Sequence, residues 1–389
     1  MTTEPLSNLY IHYPFCRRKC TFCYVNIKPH NEEASSQYVD SLLKEISFDS
    51  IRPRWPLKSI YLGGGTPSLM NEFEISQILD AVRREHKLEP GCIITMECTP
   101  DDCTPEKVQS WVRAGINRVA IGIQSFSDEV LLFLNRPHNS KENLAAIQVC
   151  TDAAFDEVSI DLLWGLHTFP LENIYKDLDV LKKLDNNRIH QVELFLYSIS
   201  EPGCPAYRRK TLPHSLDKVI FCHQGINERF NDMGLISCRL NDFRRQPEWK
   251  STGGDICNPA VSLTLYGPML AVGWGGIMNF SNRLFTSKGD YRTYIENPLE
   301  KSIQEFTEEE IEWYRLMTEM VSSLPINPST YRMESDINNG WLSQATKYGY
   351  IVPYRNGYKA TTKGGLTLNY LSNIYSSGEP LSVMKNLFS

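Results

Sequence analysis

The sequence predicts an α/β fold: a partial (β/α)6 barrel of the TIM type, followed by a C-terminal, mainly helical, winged-helix-like accessory domain. Three observations lead there. Short β-rich runs alternate with amphipathic stretches through the first half of the chain, the pattern of a parallel sheet with helices outside. Each of six such runs carries a thiol, glycine or polar group at or near its carboxyl end, where α/β barrels build their sites. Beyond residue 300 the composition turns to charged helix, and a helix–hairpin–helix pattern follows.

The strand candidates are Leu9–Tyr13, Ser59–Leu62, Ile93–Glu97, Arg118–Ile123, Val158–Leu163 and Val192–Tyr197. Helix candidates lie between them: Ser36–Ser47, Glu74–Glu85, Pro105–Arg113, Asn143–Ala153 and Asn173–Leu184, with a short helical turn at Asp128–Leu134. An open doubly wound sheet gives the same alternation, and the polar groups collected at one end of the strands favour the barrel. Ser215–Asn231 reads as a further helix leading to a strand at Leu235–Leu240. The expected division is 1–245 for the barrel, 246–299 for a glycine-rich β segment closing the active site, and 300–389 for a C-terminal lid. In that last part YIVPYRNGYKATT reads as a hairpin through Asn356-Gly357.

Composition bounds the function. The 389 residues are 41% hydrophobic and 22% charged, an ordinary globular balance, and the net charge of −6 speaks against nucleic acid as a partner. Eleven cysteines without a secretory signal point to a reducing, cytoplasmic setting. No run reaches the roughly 18 apolar residues of a membrane span.

The chemistry starts at YIHYPFCRRKCTFC, where Cys16, Cys20 and Cys23 stand in a C-x3-C-x2-C spacing directly after the first strand. Thiolates suit iron–sulfur clusters or zinc, and three of them leave one metal position open. Arg17-Arg18-Lys19 tunes the site, guides an electron donor, or is solvated surface. YLGGGTPS then follows the second strand; its glycines let a ligand approach the backbone, or form a plain tight turn. It lacks a phosphate-loop lysine. Glu97 and Asp161 are carboxylates in apolar strands and need a partner or a ligand. Gln124 ends the fourth strand, and LNRPH brings Arg136 and His138.

The three cysteines, with Phe22 before the last, resemble the radical SAM superfamily. ECTP, GINRVAIGIQSF, LNR and IDLLWGL, in this order, resemble one of its subfamilies. That subfamily holds oxygen-independent coproporphyrinogen III dehydrogenases, haem chaperones and the so-called class C methyltransferases. The likeness is strong over about residues 8–200 and weak beyond. It implies a [4Fe–4S] cluster on Cys16, Cys20 and Cys23, with the open iron chelated by S-adenosylmethionine, and it admits a second S-adenosylmethionine. It further implies that Tyr10, Phe22, Gly64, Gly65, Thr66, Glu97, Gln124, Arg136, Asp161 and Tyr197 surround the cofactors, with Tyr10, Glu97 and Gln124 nearest the reaction. A reductase such as flavodoxin or ferredoxin would supply the electron.

The second half is less legible. Tyr197 or Ser198 is placed at the mouth of the site, and Cys204 reads as a packing thiol. In the glycine-rich stretch, Gly273-Trp274-Gly275-Gly276 and Phe280 either admit a ligand or only cover the open barrel side. The reaction favoured is alkyl transfer, methylation or cyclopropanation at an sp2 carbon of a small molecule or modified peptide, using two S-adenosylmethionines. Elimination supports it. Only nine residues precede Tyr10, and Tyr24-Val25 stands where porphyrinogen dehydrogenases have a further cysteine. The Trp-Gly-Gly segment and the region of Cys257 depart from the chaperones. Oxidative decarboxylation of a coproporphyrinogen and haem delivery stay as alternatives. So does a zinc-stabilised binding module, with His12 or His30 as fourth ligand.

Overall fold

The computed structural model describes residues 7–23, 25–48, 56–184, 187–197, 214–245, 269–280, 283–321, 325–331 and 340–374. Ser198, Cys204 and Cys257, all weighed from the sequence, lie outside them.

Six parallel strands form the body: β1 (Asn8–Tyr13), β2 (Leu57–Gly64), β3 (Leu88–Cys98), β4 (Arg118–Gln124), β5 (Glu157–Trp164) and β6 (Gln191–Leu196). Each new strand adds to the same side of the one before, so the order never reverses as it does in a doubly wound sheet. An antiparallel pair, β7 (Ile236–Arg239) and β8 (Asp242–Arg244), extends the β6 edge. On the other edge β9 (Leu270–Val272) lies parallel to β1. The sheet therefore runs past the expected boundary at 245, and the fold is the partial barrel the sequence predicts.

Side-chain alternation gives the sheet two faces. Ile60, Leu62, Met96, Val119, Ile121, Val158, Ile160, Val192 and Leu194 point outward into one continuous core with the helices. Those helices are α1 (Glu32–Ile46), α2 (Glu72–Glu85), α3 (Pro105–Ala114), the short α4 (Asp128–Phe133), α5 (Ser140–Asp152), α6 (Asn173–Leu184) and α7 (Leu216–Asp232). Their starts are set locally. Asn71 and Glu74 form a reciprocal capping box on α2, as Asn139 and Glu142 do on α5. Thr104 caps α3, and Gly115 ends it at φ 96°. Each cap contributes about 1 kcal/mol, against about 1.5–3 kcal/mol for each large apolar side chain buried.

The glycine-rich segment is explained by packing. Past β9 the chain turns through Gly273–Gly276 into an antiparallel meander, β10 (Ile277–Phe280), β11 (Arg283–Ser287) and β12 (Lys301–Glu305). A Cβ on Gly273 would sit 2.5 Å from the His12 carbonyl, and one on Gly275 would sit 2.7 Å from the His12 ring. The turn closes over the barrel's own histidine. Trp274 packs edge-on to Tyr291, with the Lys28 ammonium over both rings.

The C-terminal part has a separate small core of Trp313, Leu316, Met320, Ile326, Tyr331, Trp341, Leu342 and Ile351. It joins helices Glu308–Val321, Leu342–Lys347 and Thr362–Ile374 to a three-stranded antiparallel sheet. The hairpin there differs from the sequence reading by one residue. Tyr354 pairs with Gly357, so the turn is Arg355-Asn356, with Arg355 at φ 52°. Gly357 belongs to the strand because a Cβ on it would collide with the Ile326 carbonyl at 2.2 Å. Among the described residues no helix is long and apolar enough to cross a membrane.

Candidate active site at the carboxyl ends of the strands

The cysteine loop leaves β1 after Tyr13 and is fastened at several points. Lys28 N donates to the Pro14 carbonyl at 2.8 Å, His30 N to the Cys16 carbonyl at 3.1 Å, and Thr21 N to the Leu134 carbonyl at 3.1 Å. The basic run does structural work. Arg17 pairs with Asp101 at 2.8 Å and with buried Asp102 at 2.7 Å, and Lys19 Nζ donates to the Val25 carbonyl at 3.1 Å. Asp102 also accepts from Ser68 and pairs with Lys107; against the cost of burial, Arg17 and Lys107 hold its carboxyl below the usual range. The loop is thereby tied to the end of β3.

Two of the three sulfurs receive donors from residues the sequence assigns to the site. Thr66 Oγ1 donates to Cys16 Sγ, and Arg136 Nη1 donates to Cys20 Sγ, both at 3.2 Å. Burial pushes the Cys16 thiol up to about 12 and raises that of Cys23. Phe22 turns to the other side, into an apolar cluster with Val130, Leu134, Leu163, Leu166 and Tyr197.

The glycine loop follows β2 and presses against the cysteine loop. Gly65 N donates to the Tyr13 carbonyl at 2.7 Å and Thr66 N to the Phe15 carbonyl at 2.8 Å. A Cβ on Gly65 would lie 2.6 Å from the Phe15 oxygen. Gly64, at φ 113°, directs its N–H to Glu97 Oε2 at 3.0 Å, and the Tyr61 hydroxyl donates to Glu97 Oε1 at 2.8 Å. Burial pushes the Glu97 carboxyl up to about 7 in spite of these donors. Tyr10 stacks on Tyr61 at 6.0 Å, and its hydroxyl lies 3.1 Å from His12 Nδ1.

At the end of β4, Gln124 stands at φ 67°, a left-handed conformation that a side chain of this kind adopts only when its surroundings impose it. Asp177 accepts from Ser125 Oγ at 2.8 Å and Phe126 N at 2.7 Å, and Asn143 Nδ2 donates to the Ser125 carbonyl at 2.8 Å. Arg136 reaches across this exit to the Gly122 carbonyl at 2.8 Å. A Cβ on Gly122 would come within 3.2 Å of both the Gln124 amide and Arg136.

The barrel's inner wall carries more charge than the sequence reading assigned. Asp161 and Glu193 are register partners on β5 and β6. Burial, then the neighbouring carboxylates, raises both carboxyls: Glu97 acts on Asp161, and Asp161 and Asp242 on Glu193. Beneath them Arg118 bonds Gln191 at 2.6 Å and Glu157 at 3.0 Å, while Arg244 pairs with Asp242 at 2.9 Å. Tyr61, Arg118, Gln191 and Glu193 were missed as site residues. Strict alternation in QVELFL, with Gln191 and Glu193 on one side, is the signal that marks the last two.

The structure thus gathers Cys16, Cys20, Cys23, Gly64, Gly65, Thr66, Glu97, Gln124, Arg136 and Asp161 at one end of the barrel, with Tyr10 inside it and Tyr197 and Phe22 in the apolar flank. Among the described residues no three His, Cys, Asp or Glu side chains converge at the spacing of one ion. A four-iron cube takes each thiolate at a different iron, and three thiols on one loop, two of them with donors on their sulfurs, fit such a cluster. The desolvated Glu97 and Asp161 carboxylates and the Arg136 guanidinium beside the thiols fit a small ligand that carries both charges.

A partial barrel with this cysteine loop defines the class: residues 10–181 match the family model described as the radical SAM superfamily, and the chain carries a radical SAM domain. Its cofactors are those of that domain, a [4Fe–4S] cluster and S-adenosylmethionine. Among its relatives are haem chaperone and coproporphyrinogen oxidase proteins. The haem chaperone HemW of Haemophilus influenzae is 28% identical over 97% of this chain and 100% of its own length. The oxygen-independent coproporphyrinogen III oxidase of Salmonella typhimurium is 30% identical over 48% of this chain and 41% of its own length. The structure of coproporphyrinogen III oxidase from Escherichia coli superposes with a TM-score of 0.75 at 20% identity, covering 94% of this chain and 88% of that one.

Proposed function

We propose that this radical SAM enzyme acts on a tetrapyrrole, as the coproporphyrinogen oxidases among its relatives do by name. The observation that carries the reading is the 30% identity to an oxygen-independent coproporphyrinogen III oxidase over 48% of this chain, on a fold that superposes on such an oxidase along 94% of it. Alkyl transfer, favoured from the sequence by elimination, has no support among these relatives and gives way.

When bound and reduced, the cluster and S-adenosylmethionine supply a 5′-deoxyadenosyl radical able to take hydrogen from an unactivated C–H bond. The protein's residues do the rest. Cys16, Cys20 and Cys23 hold the cluster, and Thr66 and Arg136 donate to two of the sulfurs. Glu97, poised by Tyr61 and the Gly64 amide, holds a positive group of the ligand. Asp161 and Gln124 fix its remaining polar edge, and Tyr10 closes the inner side. Phe22, Tyr197 and their cluster form the apolar wall on which a macrocycle lies. The C-terminal unit acts as a lid, the turn at 273–276 with the meander after it as the closing segment, and a flavodoxin or ferredoxin as reductant. The working place is the cytoplasm.

Haem delivery is the second reading, favoured by the end-to-end match with a haem chaperone. One experiment separates the two. Anaerobically reconstituted protein is given reductant and S-adenosylmethionine, with coproporphyrinogen III or with haem. 5′-Deoxyadenosine rising with porphyrinogen, together with decarboxylated product, supports the enzyme. Tight haem binding with little turnover supports the chaperone. 5′-Deoxyadenosine together with S-adenosylhomocysteine, indifferent to both tetrapyrroles, removes the tetrapyrrole reading.

A further inference from the structure

His138 belongs to the LNRPH stretch, and the cofactor assignment leaves it unused. Its ring is buried and accepts from Arg136 Nε through Nε2 at 2.9 Å. Arginine keeps that proton under all ordinary conditions, so Nε2 offers a lone pair and the ring hydrogen sits on Nδ1. Nδ1 lies on the side of Asn143; Asn143 Nδ2 donates to the Ser125 carbonyl, and among the described residues neither Nδ1 nor Asn143 Oδ1 has a partner within hydrogen-bond distance. Burial, then the Arg136 charge, lowers the ring's pKa to about 3, which keeps it a neutral acceptor. Asn143 is itself fully buried on α5.

The far side of Arg136 completes a relay. Its Nη2 donates to the Gly122 carbonyl at 2.8 Å and its Nη1 to Cys20 Sγ at 3.2 Å. Guanidinium is a rigid planar fork. Once Nε is fixed by His138 and Nη2 by the backbone of β4, the direction of Nη1 is no longer free.

We propose that His138 is a positioning residue: by holding Arg136 at Nε it aims Nη1 at the Cys20 sulfur and raises the reduction potential of the cluster ligated there. The proposal rests on the cluster assignment above. An N–H directed at a ligand sulfur stabilises the extra negative charge of the reduced cluster, and such outer contacts are among the levers that set its potential. The electron itself comes from the external reductant.

The test is a redox titration of the full-length, anaerobically reconstituted protein, followed by electron paramagnetic resonance, with iron content measured alongside. His138→Leu and Arg136→Met are expected to shift the midpoint in the negative direction by similar amounts. The double variant is expected to move no further than Arg136→Met alone. His138→Gln, whose amide oxygen can accept from Nε, is expected to return the potential toward wild type. If Arg136→Met leaves the potential unmoved, the Arg136–Cys20 contact and the site assignment beneath it fail. If Arg136→Met shifts it and His138→Leu does not, only the role of His138 is overturned. Should His138→Leu lose iron, retention by His138→Gln supports an acceptor role. Loss by both shows that the ring is needed for packing, and overturns the proposal.

Discussion

The two faces of the barrel sheet are built from the same strands and obey different rules. Outward residues are aliphatic and interchangeable in kind: Ile121, Ile160 and Val192 are each fully buried among helices. Inward residues, two positions away or fewer, are Glu97, Arg118, Asp161, Gln191 and Glu193, each with a particular partner or none that neutralises it. The outer face gains stability from area removed from water, at about 25 cal/mol per Å2. The inner face gives some of it back, because carboxylates are desolvated beside one another. Stability and chemistry are thus separable by strand parity, and substitutions should respect it.

The largest effect is expected at the loop the inner face supports. Cys20→Ala should abolish cluster binding and 5′-deoxyadenosine formation while the fold, followed by circular dichroism, persists; retained iron with full turnover would break the assignment. Next comes the outer face. Ile121→Ala should cost about 2–5 kcal/mol of stability, as truncation of a core aliphatic side chain does, and leave S-adenosylmethionine affinity in the surviving folded fraction unchanged. An equal loss of affinity would mean that the faces are not separable.

Glu97→Gln should do the reverse. The amide oxygen still accepts from the Gly64 amide or the Tyr61 hydroxyl, but the charge-assisted contact proposed between Glu97 and the positive group of the ligand, about 1.5–3 kcal/mol, is lost, so equilibrium dialysis should show roughly 10- to 100-fold weaker S-adenosylmethionine binding with little loss of thermal stability. The smallest effect is in pH. A carboxyl whose folded pKa lies above its unfolded value binds its proton more tightly when folded. The ligand-free protein should therefore lose stability as pH rises from the ordinary carboxylate range through the Glu97 value of about 7. Asp102, held low by Arg17 and Lys107, contributes in the opposite sense and only in acid. Glu193→Gln should flatten the neutral limb of thermal melts taken across this range; an unchanged slope would show that Glu193 does not take part.

The same parity explains what the sequence disclosed. Outward aliphatic residues repeat at period two along the strands and at helical spacing between them, so β1 to β6 and α6 could be placed from the pattern, α6 to the residue. The cysteine and glycine motifs are local and stood out. Glu97 meeting Tyr61 and Gly64 is a contact across strands, invisible to spacing. Glu193 was passed over because it sits in no motif, and Arg118, although inside GINRVAIGIQSF, because its partners Gln191 and Glu157 lie on other strands; both lie on the inward parity. The glycine turn at 273–276 was open to a ligand reading because nothing local shows that His12 lies beneath it.

The central claim is that the inner face and its loop hold a [4Fe–4S] cluster whose open iron binds S-adenosylmethionine. Electron paramagnetic resonance of the reconstituted, reduced protein with and without S-adenosylmethionine tests it most directly. The account predicts a [4Fe–4S] signal whose shape changes when S-adenosylmethionine is added. Absence of that signal from a protein carrying zinc, or a cluster signal indifferent to S-adenosylmethionine, would contradict it.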